Sequence, residues 1–264
     1  MQEPTVLLES YLGGDSYAFF DMQKEVVAFE QDQVRDALVA IDQAVAQGLH
    51  AAGFVSYEAA SGLDSKLVTQ LKSDLPLVWF GIFGRRESVR SGILDGESYG
   101  LSEWRTSVSR LAYDQMMGQI RDYIVAGDTY QVNYTFRLRA DFEGDPRGFY
   151  RHLCQNQRTH YSAYLDIGEH QILSASPELF FKLKNGKLTT RPMKGTWPRG
   201  RWLAEDEKHK TELQESEKNR AENVMIVDLL RNDLGRVSRP GSVSVPTLWD
   251  VERYETVLQM TSTV

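Results

Sequence analysis

The sequence predicts an α+β fold, in which antiparallel strands group together rather than alternating with helices. Strand-like runs occupy residues 6–29, 53–57 and 78–83, and fill 161–190. Three stretches, 31–47, 113–126 and 217–234, repeat apolar residues at helical spacing. Asn185-Gly186 stands between two strand runs and is the strongest short signal for an antiparallel hairpin.

Val6 to Ser10 reads as the opening strand, and Gly13-Gly14-Asp15 as a turn. Phe19-Phe20 and Val26 to Phe29 suggest a meander of two further strands. Val34, Leu38, Ile41 and Val45 predict a helix over 31–47, closed by Gly48. Gly53–Tyr57 and Val78–Phe83 read as buried strands, and 87–108 as loop-rich. Met116, Ile120 and Ile124 predict a helix over 113–126, ended by Gly127-Asp128. Gln131 to Leu138 alternates and predicts a strand. Phe149 to Leu153 predicts a short helix. The polar, charged stretch after Gly200 reads as a mobile connector as far as Glu217. The helix that follows is expected to bury Ala221, Met225, Leu229 and Leu230. The β-branched ending, 256–264, has no turn signal and reads as a strand of an incomplete domain.

Bulk properties remove several classes of function. The 264 residues carry a net charge of −7, which disfavours nucleic acid and anionic membrane surfaces as partners. No apolar run reaches transmembrane length. The opening Met-Gln-Glu-Pro lacks a leader signature, so a cytoplasmic location is expected. The single cysteine, Cys154, excludes a disulfide framework and a thiolate metal cluster. The five histidines show no zinc-ligand spacing, and Gly186-Lys187-Leu188-Thr189 lacks the upstream glycine of a phosphate-binding loop.

Pro192-Met193-Lys194-Gly195-Thr196 is the most informative segment. It places a lysine beside a proline that fixes φ and a glycine that lets a ligand approach the backbone. A lysine acts as a nucleophile only as the neutral amine, so the segment matters if a pocket is built around it.

Four blocks give that context. They are Gly127–Asn133, Ser174–Glu178, Arg191–Gly200 and Ala221–Asp233. In this order they resemble the chorismate-utilising enzymes, and within them component I of aminodeoxychorismate synthase. Leu7–Ser10 and Phe54–Ala60 resemble the same branch less strongly. The resemblance implies a large two-layered antiparallel β core with peripheral helices. It implies that residues 1–108 form an N-terminal subdomain and 109–264 the first part of the catalytic region, truncated at the C-terminus.

The resemblance also implies a chemistry. Anthranilate and isochorismate synthases usually carry Ala where this chain has Lys194. The aminodeoxychorismate branch carries Lys, which attacks C2 of chorismate. Relatives that add water place a lysine base where this chain has Gln131, and ammonia users place Gln. Lys194 is therefore the expected nucleophile. Gln131, Gly195 and Thr196 are expected to bind substrate, and Glu222 to hold Mg2+. The expected partner is a glutamine amidotransferase subunit that supplies ammonia. Glu178 and the Asp228–Asp233 signature are expected to be structural. Anthranilate synthases place Glu at the position of Asn219 and His at that of Gln259, so this chain departs from them at both. Two other readings remain open: anthranilate synthase component I, which Lys194 disfavours, and a non-catalytic remnant that binds chorismate or a partner without turnover.

Overall fold

The computed structural model describes residues 4–70 and 74–264. The opening Met-Gln-Glu, part of the segment read above as lacking a leader signature, lies outside the described residues. In chain order the first elements are β1 (Val6–Glu9), β2 (Ser16–Ala28), α1 (Gln33–Ala46), β3 (His50–Val55), α2 (Ala60–Leu63) and β4 (Val78–Val89). Then come β5 (Tyr99–Leu101), β6 (Arg105–Thr106), α3 (Arg110–Ala126), β7 (Leu138–Arg139), β8 (Phe142–Gly144) and α4 (Pro146–Asn156). The remainder is β9 (Tyr161–Asp166), β10 (Gln171–Ser176), β11 (Leu179–Lys184), β12 (Lys187–Arg191), β13 (Met193–Pro198), α5 (Leu203–Glu215), α6 (Glu217–Gly235), β14 (Thr247–Arg253) and β15 (Val257–Thr263).

The chain forms two compact units, residues 1–95 with 150–264, and residues 96–149. The division expected at 108/109 falls inside the smaller unit. In the larger unit a six-stranded antiparallel sheet has the order β10-β9-β1-β2-β4-β3. Alternation along β4 sends successive side chains to opposite faces. Val78 and Ile82 join Val34, Ala37 and Ile41 of α1, while Trp79 and Phe83 join Val6, Phe19 and Leu165. Tyr150 and Cys154 of α4 are fully buried against Leu7, Ala18 and Tyr164. The expected meander is one long strand: β2 runs unbroken through a kink at Asp21, where φ is 58°, and a register shift between Met22 and Lys24. The strand expected at 53–57 begins earlier, at His50, and ends at Val55.

A second, three-stranded sheet has the order β13-β15-β14, with Leu213 of α5 packed on Leu258 and Met260 of the central strand. The Asn185-Gly186 hairpin forms as expected between β11 and β12. Both turn residues adopt positive φ, 53° and 72°. This is the geometry that makes Asn-Gly the preferred pair there.

Three further expectations are overturned, each for a local reason. The stretch 201–217 is not a connector, because most of it is α5. Its charges serve the helix. Arg201–Glu205 and Lys208–Glu212 pair at i,i+4, and Glu205 and Asp206 occupy the positive first turn. Residues 131–137 form no strand, and only Leu138–Arg139 pairs, with β6. The aromatic side chains of the run pack on α3 instead: the rings of Tyr134 and Phe136 lie 5.8 and 6.1 Å from that of Tyr113. Finally, α6 buries Asn223 and Val227, whereas Ala221 and Leu229 are exposed and Met225 and Leu230 half-buried. A polar residue faces the sheet because Ser262 of β15 donates to Asn223 Oδ1 at 2.5 Å. Among the described residues, no helix is long and apolar enough to cross a membrane.

Candidate functional site

The larger unit brings Lys194, Gly195, Thr196 and Glu222 onto two neighbouring elements. The first three lie on β13. Met193 pairs with Thr261 and Thr196 with Gln259, so two residues, Lys194 and Gly195, face a single position of β15. This is a β-bulge, a device that turns a side chain out of the regular pleat. Gly195 adopts φ +100°, which a side chain would strain. A Cβ there would also lie 3.1 Å from Asn219 Cβ and 3.2 Å from its Cγ and Oδ1. Glycine is thus favoured twice, by a dihedral that strains any side chain and by a tight approach of Asn219.

The bulge is held from both sides. Glu178 Oε1 accepts a hydrogen bond from Met193 N–H at 3.3 Å, just before Lys194. Thr196 Oγ1 donates to Gln259 Oε1 at 3.0 Å, just after it. Lys194 and Gly195 are half-buried and Thr196 is exposed. Asn219 and Glu222 stand one turn apart on α6. Glu222 is half-buried, and Lys218 Nζ, four residues back, lies 3.9 Å from its Oε1.

Beyond the bulge the sheet end is strongly charged. Arg199 donates to Asp206 through Nε at 2.8 Å and Nη2 at 3.1 Å, and Gly200 N–H adds a bond of 2.9 Å. Arg253, at the end of β14, donates Nε to the same carboxylate at 3.0 Å. Asp206 is only 3% exposed. The Arg199 hydrogen bonds, helped by the Gly200 amide, hold its carboxyl well below the usual carboxylate range. On the other side of the bulge, Arg191 of β12 pairs with Glu252, which also accepts from Thr261 Oγ1 and Tyr254 OH, each at 2.8 Å.

Gln131 belongs to the smaller unit. It follows Gly127, the left-handed cap of α3, in an irregular segment. Its carbonyl accepts from Thr129 Oγ1 at 3.1 Å, and the residue is half-buried.

A profile of the chorismate binding enzymes matches residues 94–264. The chain belongs to this family. It is 45% identical over 163 residues to aminodeoxychorismate synthase component 1 of Klebsiella aerogenes, covering 62% of this chain and 36% of that protein. It is 38% identical over 161 residues to anthranilate synthase component 1 of Aquifex aeolicus, covering 61% of this chain and 33% of that protein. The matched stretch therefore spans about a third of the length of these curated relatives. Among solved structures, anthranilate synthase component I of Streptococcus pneumoniae shares the fold with a TM-score of 0.76 and 25% identity, over 97% of this chain and 69% of that one. The isochorismate synthase DhbC of Bacillus anthracis gives the same TM-score at 16% identity, over 99% of this chain and 67% of that one. The α+β fold expected from the sequence is the fold of these chorismate-utilising enzymes.

The family resemblance implies a magnesium ion. Among the described residues no three His, Cys, Asp or Glu side chains gather as a metal cage. Mg2+ rarely uses one; it takes one or two carboxylates and keeps waters and substrate oxygens as its other ligands. A half-buried carboxylate one turn along α6 from Asn219, as Glu222 offers, fits that habit. Hydropathy did not reveal the packing of Asn219 on Gly195 or the inward face of Asn223. The only sequence signal for the first was the Gly after Lys194, which marks a close backbone approach.

Proposed function

We propose that this chain is the aminating component of aminodeoxychorismate synthase, converting chorismate to 4-amino-4-deoxychorismate, the precursor of p-aminobenzoate and folate. The observation that carries the reading is Lys194 seated in a glycine bulge, inside the block that distinguishes this branch from the anthranilate synthases. In the first step the neutral Lys194 amine forms a C–N bond at C2. The ring π electrons shift, and the C4 hydroxyl leaves as water after taking up a proton. In the second step ammonia adds at C4, the electrons shift back, and the Lys194 amine is released. The enolpyruvyl ether is untouched throughout.

The other residues prepare these steps. The bulge turns Lys194 out of the pleat, and Gly195 supplies the positive φ that the bulge needs and a backbone N–H for a substrate carboxylate. Thr196 offers its hydroxyl at the edge of the site, with Gln259 fixing its rotamer. Gln131 is assigned to the ammonia side of the ring. Glu222 would hold Mg2+, which when bound neutralises the ring carboxylate and withdraws charge as a Lewis acid. Ammonia would come from a glutamine amidotransferase subunit, and the expected compartment is the cytoplasm.

Product analysis tests the proposal. The chain is incubated with chorismate, Mg2+ and ammonium, and the products are separated and weighed. A 4-amino product that keeps the enolpyruvyl group is the expected result. Anthranilate with released pyruvate would move the chain to the rival branch that its Aquifex aeolicus and Streptococcus pneumoniae relatives represent. Absence of turnover, with chorismate still bound, would favour the non-catalytic reading.

A further inference from the structure

We propose that Asn219 is the positioning residue of the Lys194–Gly195 bulge, locking it to the first turn of α6 and so fixing Lys194 relative to Glu222. The inference rests on the reading of Lys194 as nucleophile, and adds how the amine is held.

The sheet-facing side of α6 is polar over its first two turns. Ser216, Asn219, Asn223 and Val227 follow one another at intervals of three and four residues, the spacing of one helix face. Ser216 caps the helix: its Oγ accepts from Asn219 N–H at 3.4 Å and from Asn219 Nδ2 at 2.9 Å. The amide of Asn219 is therefore tied down by its own helix, and the rest of the side chain lies over the face of Gly195 where a Cβ would otherwise sit. One turn on, fully buried Asn223 accepts from Ser262 of β15. The helix is thus pinned to β13 by packing and to β15 by a hydrogen bond. Apolar side chains would permit some sliding and rotation, whereas a buried polar pair fits in one register only. Glu222 lies between the two pins. Any rotation of α6 that moves its carboxylate must also lift Asn219 off Gly195.

The test is selective acylation of Lys194 in the whole chain, without chorismate. The reagent is the N-hydroxysuccinimide ester of acetate, and the readout is the peptide mass ratio of Lys194 to the exposed Lys208. Asn219→Ala is expected to change the Lys194 ratio at least about fivefold. Gly195→Ala is expected to matter less in the Asn219→Ala background than alone, because the clash with Cγ and Oδ1 of residue 219 is relieved there while the strain of φ +100° and the Cβ contact remain in both. In turnover, Asn219→Ala should lower kcat while KM for chorismate stays within about twofold, the signature of a misplaced reacting group. Equal acylation of native and Asn219→Ala protein, or strictly additive effects of the two changes, would overturn the proposal. If Asn219→Ala does not fold, Asn219→Ser carries the comparison, since its hydroxyl can still bond Ser216 but it lacks the Cγ and Oδ1 that lie over Gly195 and keeps only Cβ there. Acylation needs no substrate, so coupling without amination would overturn the proposed function alone. Amination without coupling would overturn only the role of Asn219.

Discussion

The two ends of β13 are held in opposite ways. Around Met193–Thr196 the strand is fixed by a packed asparagine and by two single hydrogen bonds, Met193 N–H to Glu178 and Thr196 Oγ1 to Gln259. At Pro198–Gly200 it is fixed by ion pairs converging on buried Asp206. The charged clamp ties β13 and β14 together across β15 through one carboxylate on α5. The bulge end instead carries the proposed nucleophile, and Asn219 packs on it while the Arg191–Glu252 pair reaches it only through Thr261. This separation makes physical sense. A dense ion-pair network stabilises a sheet end, but placed against a lysine nucleophile it would favour the ammonium form. The buried Asp206 clamp and the proposed nucleophile therefore stand at opposite ends of β13.

The largest expected effect lies at the bulge. Lys194→Ala should reduce formation of the amino product at least about a thousandfold, roughly 4 kcal/mol of barrier, with the thermal midpoint little changed. Normal product formation by this variant, measured by chromatography and mass, would remove Lys194 from the mechanism. The next effect lies at the clamp. Asp206→Ala should cost about 2–3 kcal/mol in urea unfolding. That is below the usual figure for breaking a buried pair, because Arg199 and Arg253 are about a third exposed and can reach water. A loss of activity in Asp206→Ala as large as in Lys194→Ala, with the protein still folded, would break the division between the two ends. A smaller effect is expected at Glu222. Glu222→Gln should raise the Mg2+ concentration needed for half-maximal activity at least about tenfold. An unchanged Mg2+ titration would dismiss it as a ligand.

The smallest effect lies outside both ends, in the unit of residues 96–149. There Arg147, aided by the Glu97 amide, holds the Asp145 carboxyl down at about 2. The folded state thus releases this proton more readily than the unfolded chain. The contribution is complete above about pH 4 and is lost as pH falls through about 2. Asp145→Asn should therefore cost about 1 kcal/mol near neutrality, solvent screening included, and progressively less in acid. A difference in thermal midpoint between native and Asp145→Asn protein that does not shrink toward pH 2 would refute the pairing.

Much of this architecture was readable in the residues, and the exceptions share a cause. Helix α1 and the Asn185-Gly186 hairpin follow from local rules, spacing in one and positive φ in the other. Local rules failed where tertiary contacts chose between alternatives. Residues 131–138 alternate like a strand, but their rings found α3. Residues 203–215 look like a solvated linker, but Asp206 and Leu213 anchor them as α5. On α6 the hydropathy pattern points to Ala221 and Leu229, yet Ser262 draws Asn223 inward. The candidate site was legible as a set of residue types in known blocks. How Asn219 and Gly195 fit together was not, because a contact between a helix and a strand bulge leaves no periodic trace.

The buried thiol of Cys154 has a practical consequence. Burial beneath Tyr150 and Tyr164 pushes its ionisation up, and only the ionised, accessible form reacts with alkylating agents. It is also the one cysteine in the chain. The folded protein should therefore be silent to maleimides and fluoresce only as α4 lifts from the sheet. Labelling kinetics then become a clock for the opening of the six-stranded layer, and a cysteine introduced elsewhere can carry a dye without competition from the native one.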